Sequence, residues 1–585
     1  MKNAVPKQIL LRDHQRSRWL RFVEPLDVLV ANDIAEVQPM LARAEARVNA
    51  DGLYAAGYVA YEGAAGFDPA LVTRRQGDWP LLCFGLFAAP QVCESPGAAG
   101  VKPGQRQQWS VDIARPDYRR IIRSIKDQIA LGNTYQVNFT IRARTEAAGD
   151  PWAMFLRVAA DAPFAAYLEA EDCAIISASP ELFFRLADHD LECKPMKGTA
   201  PRGMTLPEDR ALCAQLGSSS KDRAENVMIA DMIRNDVGRI AEAGSVRTDD
   251  LFRIEKYPTV WQMTSTVRAR TGASVTNIFS ALFPCASVTG APKVASMQLI
   301  AGLEDTERHI YTGAIGYMAP GRQAQFSVAI RTAFIDKRAD QAVYGIGGGI
   351  VWSSDAEDEY RECLAKARVL HRDPPQDEFR LLETLLWTRE DGFFLLDRHL
   401  TRMAESAEYF DIPFDPARAR GTLSDEVLKC NASRLRVRLL LATSGCFTAS
   451  VSEPETSGDR PPVRLRLARE PIDRGNPFFY HKTTWRDCYD KPLADAGDCD
   501  DVLLWNSDGL VTETTIANVL VRTGTKIYTP PVHCGLLAGT YRNWMLDQGL
   551  IEERPVTVAE LADATEIMVI NSVRGKVAAR LLDPD

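Results

Sequence analysis

Lys194-Pro195-Met196-Lys197-Gly198-Thr199, with Ser179-Pro180-Glu181 shortly before it, is the stretch around which the first half of the chain is organised. Lys197 stands between short strand-like runs and is followed at once by Gly-Thr, which sets an amine beside a turn able to bring backbone N–H groups close to an anion. Glu181, borne on the preceding strand, supplies a carboxylate that can serve such an amine as proton donor. On these residues alone a second reading stands beside the first, a surface hairpin carrying a solvated lysine.

The 585 residues hold roughly three or four domains' worth of sequence. Charged residues at 25% and hydrophobic ones at 46% describe an ordinary globular protein. A net charge of -9 argues against a nucleic-acid or anionic-membrane partner, because an acidic surface attracts neither. No apolar run approaches the ~18 residues that span a bilayer, and Met1-Lys2-Asn3-Ala4-Val5 leads into no secretion signal. The twelve cysteines are scattered without a C-x-x-C pair, which suits reduced thiols in a cytoplasmic protein and excludes a cysteine zinc cluster.

Residues 1 to about 110 alternate apolar runs with Gly-rich turns, as in Gly57-Tyr58-Val59-Ala60-Tyr61 and Leu81-Leu82-Cys83-Phe84-Gly85, and read as sheet strands of undisclosed function. Ser95 to Gln107 reads as an exposed loop. Pro116-Asp117 opens a helix with Tyr118, Ile121, Ile122, Ile125 and Ile129 at helical spacing and Gly132 as its stop; the strand Tyr135 to Phe139 comes next, carrying Gln136. Ser220-Lys221-Asp222 caps a helix from Arg223 to about Ile240, on which Glu225 shares a stripe with Ile229 and Met232. Glu359, Glu362 and Lys366, at spacings of three and four, project from one side of a later helix. Two glutamates from distant helices with no Cys or His beside them suit Mg²⁺ holding a substrate carboxylate. Glu362 and Lys366 also read as a plain surface ion pair.

The Lys197 segment resembles the Pro-Ile-Lys-Gly-Thr signature of the chorismate-using enzymes, specifically aminodeoxychorismate synthases, whose anthranilate-forming siblings carry Ala where this chain has Lys197. The similarity runs over residues 117–370 and implies a role for each matching residue. By this resemblance Lys197 is the nucleophile and Glu181 the proton donor, and Glu225 and Glu362 bind Mg²⁺. It likewise implies that Gln136, Gly198, Thr199, Tyr311, Arg331, Lys366 and the glycine turn Gly347-Gly348-Gly349 meet chorismate. Gln136 stands where isochorismate-forming relatives have a water-activating lysine, so its neutral amide fits ammonia as nucleophile. An arginine such as Arg331 suits a carboxylate because its planar fork binds both oxygens. Ser287-Val288-Thr289-Gly290-Ala291-Pro292-Lys293 matches the family's Gly-rich loop. Two departures stand out: Cys285-Ala286 replaces a Gly-Gly pair, and Gln262 stands where many relatives place a histidine.

His371 to Asp377 reads as a linker, since paired prolines stop the helix before it. A second pattern begins with the strand Phe379-Arg380-Leu381-Leu382-Glu383-Thr384 and the helix bearing His399-Leu400-Thr401-Arg402. It continues in His481-Lys482-Thr483-Thr484, in Thr512-Glu513, in Asn518, in Gly539-Thr540-Tyr541-Arg542 and in Asn571-Ser572-Val573-Arg574. A lysine near a strand end, a strand-borne glutamate and a Gly-Thr turn opening a helix suit a pyridoxal phosphate site. The ordered set resembles the fold-type IV pyridoxal enzymes, which include aminodeoxychorismate lyases and amino-acid aminotransferases. That resemblance makes Lys482 the Schiff-base lysine and Glu513 the pyridine partner. It gives the phosphate to Arg402, Gly539 and Thr540, and a substrate-side loop to Asn571, Ser572 and Arg574. The family's usual further N-terminal strand is replaced here by the linker.

The expected fold is mixed, α+β and α/β: a large chorismate-binding domain of two-layer sheet-and-helix type over 1–370, a linker over 371–377, and a fold-type IV domain over 378–585. Together the resemblances imply chorismate and ammonia converted to 4-amino-4-deoxychorismate, then loss of pyruvate to give 4-aminobenzoate, a folate precursor. No glutaminase segment is evident, so free ammonia or a separate glutamine amidotransferase subunit is the implied nitrogen source. A homodimer through the second half is expected. The rival readings are an anthranilate synthase-like enzyme, a C-terminal amino-acid aminotransferase, and a C-terminal docking or dimerising module without catalysis.

Overall fold

The structure is a computed structural model that describes residues 5–75, 77, 79–97, 107–160, 162–257, 260–371, 379–454 and 461–582. Most of the loop expected over Ser95–Gln107, and the linker from residue 372 onward, lie outside the described residues. The chain divides into two compact units. One comprises Met1–Pro201 and Cys213–Pro375, the other Arg202–Leu212 and Gln376–Asp585.

The first unit is built on two ten-stranded antiparallel sheets. An antiparallel sheet with one face in water alternates buried and exposed residues. The strands Leu82–Phe87 and Cys173–Ser179 are instead buried at every position, because both faces of each sheet are covered. On the inner side Ile9, Leu11 and Phe22 of one sheet pack against Ala56, Tyr58 and Ile315 of the other. On the outer sides lie amphipathic helices. Ile34–Asp51 turns Val37, Leu41, Ala44 and Val48 to one sheet, and Arg115–Ala130 turns Tyr118, Ile121, Ile122 and Ile125 to the other. The two-layer sheet-and-helix arrangement thus occurs twice, back to back. The first 110 residues are integral to it, since Gln8–Asp13 and Arg18–Val23 enter one sheet and Asp27–Ala31, Tyr54–Val59 and Leu82–Phe87 the other.

Two crossings of the chain between the sheets position site residues. Pro180 and Glu181 lead from Cys173–Ser179 in one sheet to Leu182–Ala187 in the other, so Glu181 sits in the crossing rather than on a strand. Arg331 lies on the return from Gln323–Val328 to Thr332–Asp336. The crossings are stitched together: Val328 N donates to Glu181 O at 3.1 Å, Ala178 N to Arg331 O at 3.0 Å, and Ser179 Oγ to Val328 O at 2.6 Å.

In the second unit a four-stranded sheet centred on Leu381–Thr388 and Arg434–Leu441 packs Leu385, Val437 and Leu439 against Leu400 and Leu423 of the helices Leu396–Tyr409 and Pro416–Leu428. An eight-stranded mixed sheet accompanies it, and its first strand, Val511–Thr514, also pairs with Asn518–Thr523, closing the sheet on itself. No helix among the described residues is long and apolar enough to cross a membrane.

Candidate functional site

Lys197 does not lie beside a turn. Met196–Pro201 is a strand paired with Val260–Arg270, and the register shifts between Met196 and Thr199, so Lys197 and Gly198 occupy a bulge. Bulges re-aim side chains. Gly198 has φ +93°, and a Cβ there would lie 2.9 Å from the Asp222 Cβ, so no other residue fits. Gln262 holds the bulge: its amide nitrogen donates to Gly198 O at 3.0 Å and its amide oxygen accepts from the Thr199 hydroxyl at 3.1 Å. Asn226 donates to Lys197 O at 3.2 Å and ties in the helix Ser220–Gly238, which begins before the expected Arg223 and is capped by Ser219, the residue before the expected cap.

Lys197 faces a cavity of about 180 Å³ that gathers nearly every residue singled out in the first half: Glu181, Gly198, Thr199, Glu225, Tyr311, Arg331, Gly347, Gly348, Gly349, Glu362 and Lys366. Gly347-Gly348-Gly349 is not a turn but part of the strand Gln341–Ile350, paired residue by residue with Gln136–Thr145. Its missing side chains make room. A Cβ at Gly349 would lie 2.6 Å from Lys197 Nζ and 2.7 Å from the Gln136 amide nitrogen, and one at Gly345 would lie 2.1 Å from Cγ of Tyr311. Gln136 is fully buried beside the cavity, and neither amide atom has a partner among the described residues.

Burial lowers the pKa of Lys197; Glu225 opposes the shift and Lys366 adds to it. Glu181 is 2% exposed, and burial pushes its carboxyl up to about 7 against the Ser287 hydroxyl, Lys197 and the Met196 N–H. Its Oε1 has no partner among the described residues. Burial raises Glu225, whereas Lys366 at 2.8 Å leads in lowering Glu362. The Glu362–Lys366 pair is therefore both an ion pair and part of the cavity wall. Arg331 adopts φ +50°, a strained conformation for a residue with a side chain. Burial lowers its pKa, and only Tyr344 and Tyr257 oppose, with no carboxylate beside it among the described residues. Lys221, Ser287 and Tyr344 also line the cavity. Ser287 belongs to the Gly-rich motif, while nothing in the sequence around Tyr344 marks it.

Among the described residues no group of three or more His, Cys, Asp or Glu is arranged to hold a metal. Glu225 and Glu362 nonetheless turn two hard oxygen donors to the same cavity, a set that suits Mg²⁺ once a substrate carboxylate joins it.

In the second unit a cavity of about 290 Å³ brings together Lys482, Glu513, Arg402, Gly539, Thr540 and Arg574. Lys482 lies in no strand, but its carbonyl accepts from Leu382 N at 2.9 Å, which fixes it against Leu381–Thr388. Burial, with Arg402, lowers its amine to about 8. Glu513 stands where the eight-stranded sheet closes on Asn518. Burial raises its carboxyl to about 8, against the Tyr489 hydroxyl at 2.8 Å and Leu537 N at 3.1 Å. Gly539 is the N-cap of the helix Thr540–Asp547, and a Cβ there would lie 1.9 Å from Asn518 Oδ1. The bare helix end therefore turns free N–H groups to the cavity beside Arg402, a cradle that fits a phosphate ester. Glu383, which the sequence does not mark as a site residue, holds Arg402 through both carboxylate oxygens at 2.8 and 2.7 Å. Arg436, Arg438 and Arg486 line the same cavity and are likewise unmarked in the sequence.

Residues 7–372 match the family profile of the chorismate binding enzymes, and residues 380–582 that of the class IV amino-transferases. The chain is 42% identical over 281 residues to an aminodeoxychorismate synthase of Streptomyces griseus, a match covering 47% of this chain and 38% of that protein. It is 40% identical over 268 residues to aminodeoxychorismate synthase component 1 of Salmonella typhimurium, covering 45% of this chain and 59% of that one. The chain thus spans less than two thirds of the length of these curated relatives. Among solved structures, anthranilate synthase component I from Streptococcus pneumoniae has the same fold over 63% of this chain and 93% of its own, with a TM-score of 0.53 and 22% identity.

Proposed function

This chain belongs to the chorismate binding enzyme family, and from that premise we propose that its first unit converts chorismate and ammonia to 4-amino-4-deoxychorismate. We propose further that its second unit eliminates pyruvate from that product to leave 4-aminobenzoate. The observation that carries the first assignment is Lys197, an amine whose proton is loosened by burial, set in a bulge beside Glu181.

In the first cavity the neutral Lys197 amine attacks ring carbon C2 as the double bonds shift and the C4 hydroxyl leaves as water. Glu181, still protonated near neutral pH and with one oxygen unpaired, donates the proton that the departing hydroxyl needs. Ammonia then adds at C4, the double bonds shift back, and the C2–N bond to Lys197 breaks. The unpaired amide of Gln136 suits the holding of ammonia, and the Arg331 fork suits a carboxylate. Glu225 and Glu362 would hold Mg²⁺, which would supply positive charge for the ring carboxylate. Free ammonia or a separate glutamine amidotransferase provides nitrogen.

In the second cavity Lys482, Glu513, Arg402, Gly539 and Thr540 would hold pyridoxal phosphate, which supplies a sink for the electrons released when a bond beside the substrate's amine breaks. An amine at about 8, as Lys482 has, is suited to taking and returning the proton there. The class IV profile leaves a second reading of this unit, an aminotransferase acting on amino acids. A homodimer through this unit, tested by sedimentation, and a cytoplasmic location complete the proposal; the latter is supported by twelve cysteines that are all free.

Incubation of the pure protein with chorismate, Mg²⁺ and ammonium tests both steps. We expect 4-aminobenzoate and pyruvate. Accumulated aminodeoxychorismate would leave the second unit to the aminotransferase reading, and anthranilate would refute the role given to Lys197.

A further inference from the structure

Under the helix-end cradle of the second cavity runs a buried chain of which the proposed chemistry uses only the outermost member, Thr540. Glu383 comes from the strand Leu381–Thr388, His399 from the helix Leu396–Tyr409, and Thr540 from the first turn of Thr540–Asp547. Glu383 and His399 are each 1% exposed. Both ring nitrogens of His399 are engaged, Nδ1 with Glu383 Oε2 at 2.6 Å and Nε2 with Thr540 Oγ1 at 3.2 Å. The remaining arm of Arg402 donates to Ala538 O at 3.1 Å, directly before the helix end.

The donors along this chain are countable. Burial alone would raise the Glu383 carboxyl, yet Arg402 and His399 hold it down at about 2, so it is ionised and only accepts. Nδ1 of His399 therefore carries a hydrogen. With a neutral ring, Nε2 is an acceptor and consumes the single hydroxyl hydrogen of Thr540. With a protonated ring, Nε2 donates instead, and the Thr540 hydrogen is released toward the cavity that Thr540 lines.

The charges point the same way. The groups facing His399 are Glu383 from the strand, Arg402 from its own helix and Lys482 from the facing segment; burial leads in keeping the ring below its usual pKa, and Arg402 and Lys482 add to that. Arg402 and Glu383 cancel. A phosphate dianion arriving at the helix end would find no net positive charge in the Glu383–Arg402–His399 cluster unless the histidine acquires one, and a nearby anion favours that protonated form.

We propose that His399 takes up a proton when a phosphate monoester dianion seats at the Thr540 helix end, and that the freed Thr540 hydroxyl then donates to the ester. The inference rests on reading this cavity as a pyridoxal phosphate site. Calorimetry on the full chain freed of cofactor tests it, using pyridoxine 5'-phosphate and pyridoxine, which lack the aldehyde and so leave Lys482 unreacted. At about pH 8 the free ester is already dianionic. Titrations in buffers of different ionisation heat should give close to one more proton taken up per chain for the ester than for pyridoxine. His399→Gln should abolish that uptake while the ester still binds, roughly tenfold or more weakly. Equal proton counts for the two compounds in the parent protein, a result needing no variant, would overturn the inference, as would undiminished uptake in His399→Gln. If pyridoxal phosphate itself leaves no visible absorbance on the protein, the underlying reading fails, and this inference falls with it.

Discussion

Each cavity is built around a buried lysine, but the charged groups around the two lysines differ. Lys197 shares its cavity with Glu181, Asp222, Glu225, Glu359 and Glu362, partly offset by Lys221, Arg331 and Lys366. Lys482 shares its own with Arg402, Arg436, Arg438, Arg486, Arg542 and Arg574, and Glu513 is the carboxylate among the described residues there. Burial lowers both amines. What differs is how each cavity would accept an anion. The first is crowded with carboxylates and needs a cation before it can receive a ring carboxylate; the second is lined by arginines and can take a phosphate and a carboxylate without a metal. A divalent metal is thus expected to matter to one reaction and not to the other.

The lysines give the largest effects. Lys197→Ala should leave chorismate binding largely intact and cut aminodeoxychorismate formation on the order of 10⁶-fold, the scale on which removal of a nucleophile acts. Lys482→Ala should leave that step untouched and remove the absorbance band of pyridoxal phosphate joined to a lysine as a Schiff base, leaving at most that of the uncombined aldehyde. Product analysis and an absorbance spectrum of each variant check the pair. A Lys197→Ala protein that forms aminodeoxychorismate at the parent rate would end the case for covalent catalysis in the first cavity.

Next in size is the proton donor. Glu181→Gln should slow the first reaction by roughly 10²–10⁴-fold. The pH profile should be bell-shaped. Glu181, raised by burial to about 7, is a donor only while protonated, so the rate falls as pH rises through that value. Lys197 attacks only when neutral, so the rate falls again in acid, on a limb lying below that of an ordinary lysine because burial lowers its pKa. Glu181→Gln should lose the limb that Glu181 sets and keep the one set by Lys197.

Metal removal sharpens the contrast directly. Chelation should stop aminodeoxychorismate formation while pyruvate release from supplied aminodeoxychorismate continues. Glu225→Gln should weaken the Mg²⁺ requirement curve by at least roughly 10–100-fold, a loss seen even for residues one shell further out. Equal sensitivity of both steps to chelation would erase the distinction between the cavities.

Much of both cavities is legible in the sequence because the signals are local. Helical spacing puts Glu359, Glu362 and Lys366 on one face, and all three line the first cavity. The helix Arg115–Ala130 and its stop at Gly132, φ +76°, arise from apolar periodicity and a left-handed glycine. Two turn readings fail for a common reason. Gly198 and Gly347-Gly348-Gly349 read as turns because glycine permits them, whereas both lie on strands whose partners, Val260–Arg270 and Gln136–Thr145, are remote in sequence. There glycine is required by what comes close, the Asp222 Cβ in one case and Lys197 with Gln136 in the other. Glu383 escapes a sequence reading likewise, because its meaning depends on His399 and Arg402 being folded onto it.

The smallest effect concerns Gln262, where the sequence departs from many relatives. An amide cannot act as an acid or base, so any proton-transfer role of a histidine there is absent from this chain. What the side chain does is mechanical: it bonds both Gly198 O and the Thr199 hydroxyl, fixing the bulge that aims Lys197. Gln262→Ala should therefore cost about 1–3 kcal/mol of stability from the two lost bonds and lower the rate about tenfold without moving either limb of the pH profile. Gln262→His should restore part of the rate by keeping one bond. Thermal unfolding beside a pH–rate profile separates the possibilities: a limb displaced in Gln262→Ala would mean that position 262 sets the protonation of Lys197 or Glu181 rather than their alignment, and the two cavities would then differ in chemistry at the bulge as well as in charge.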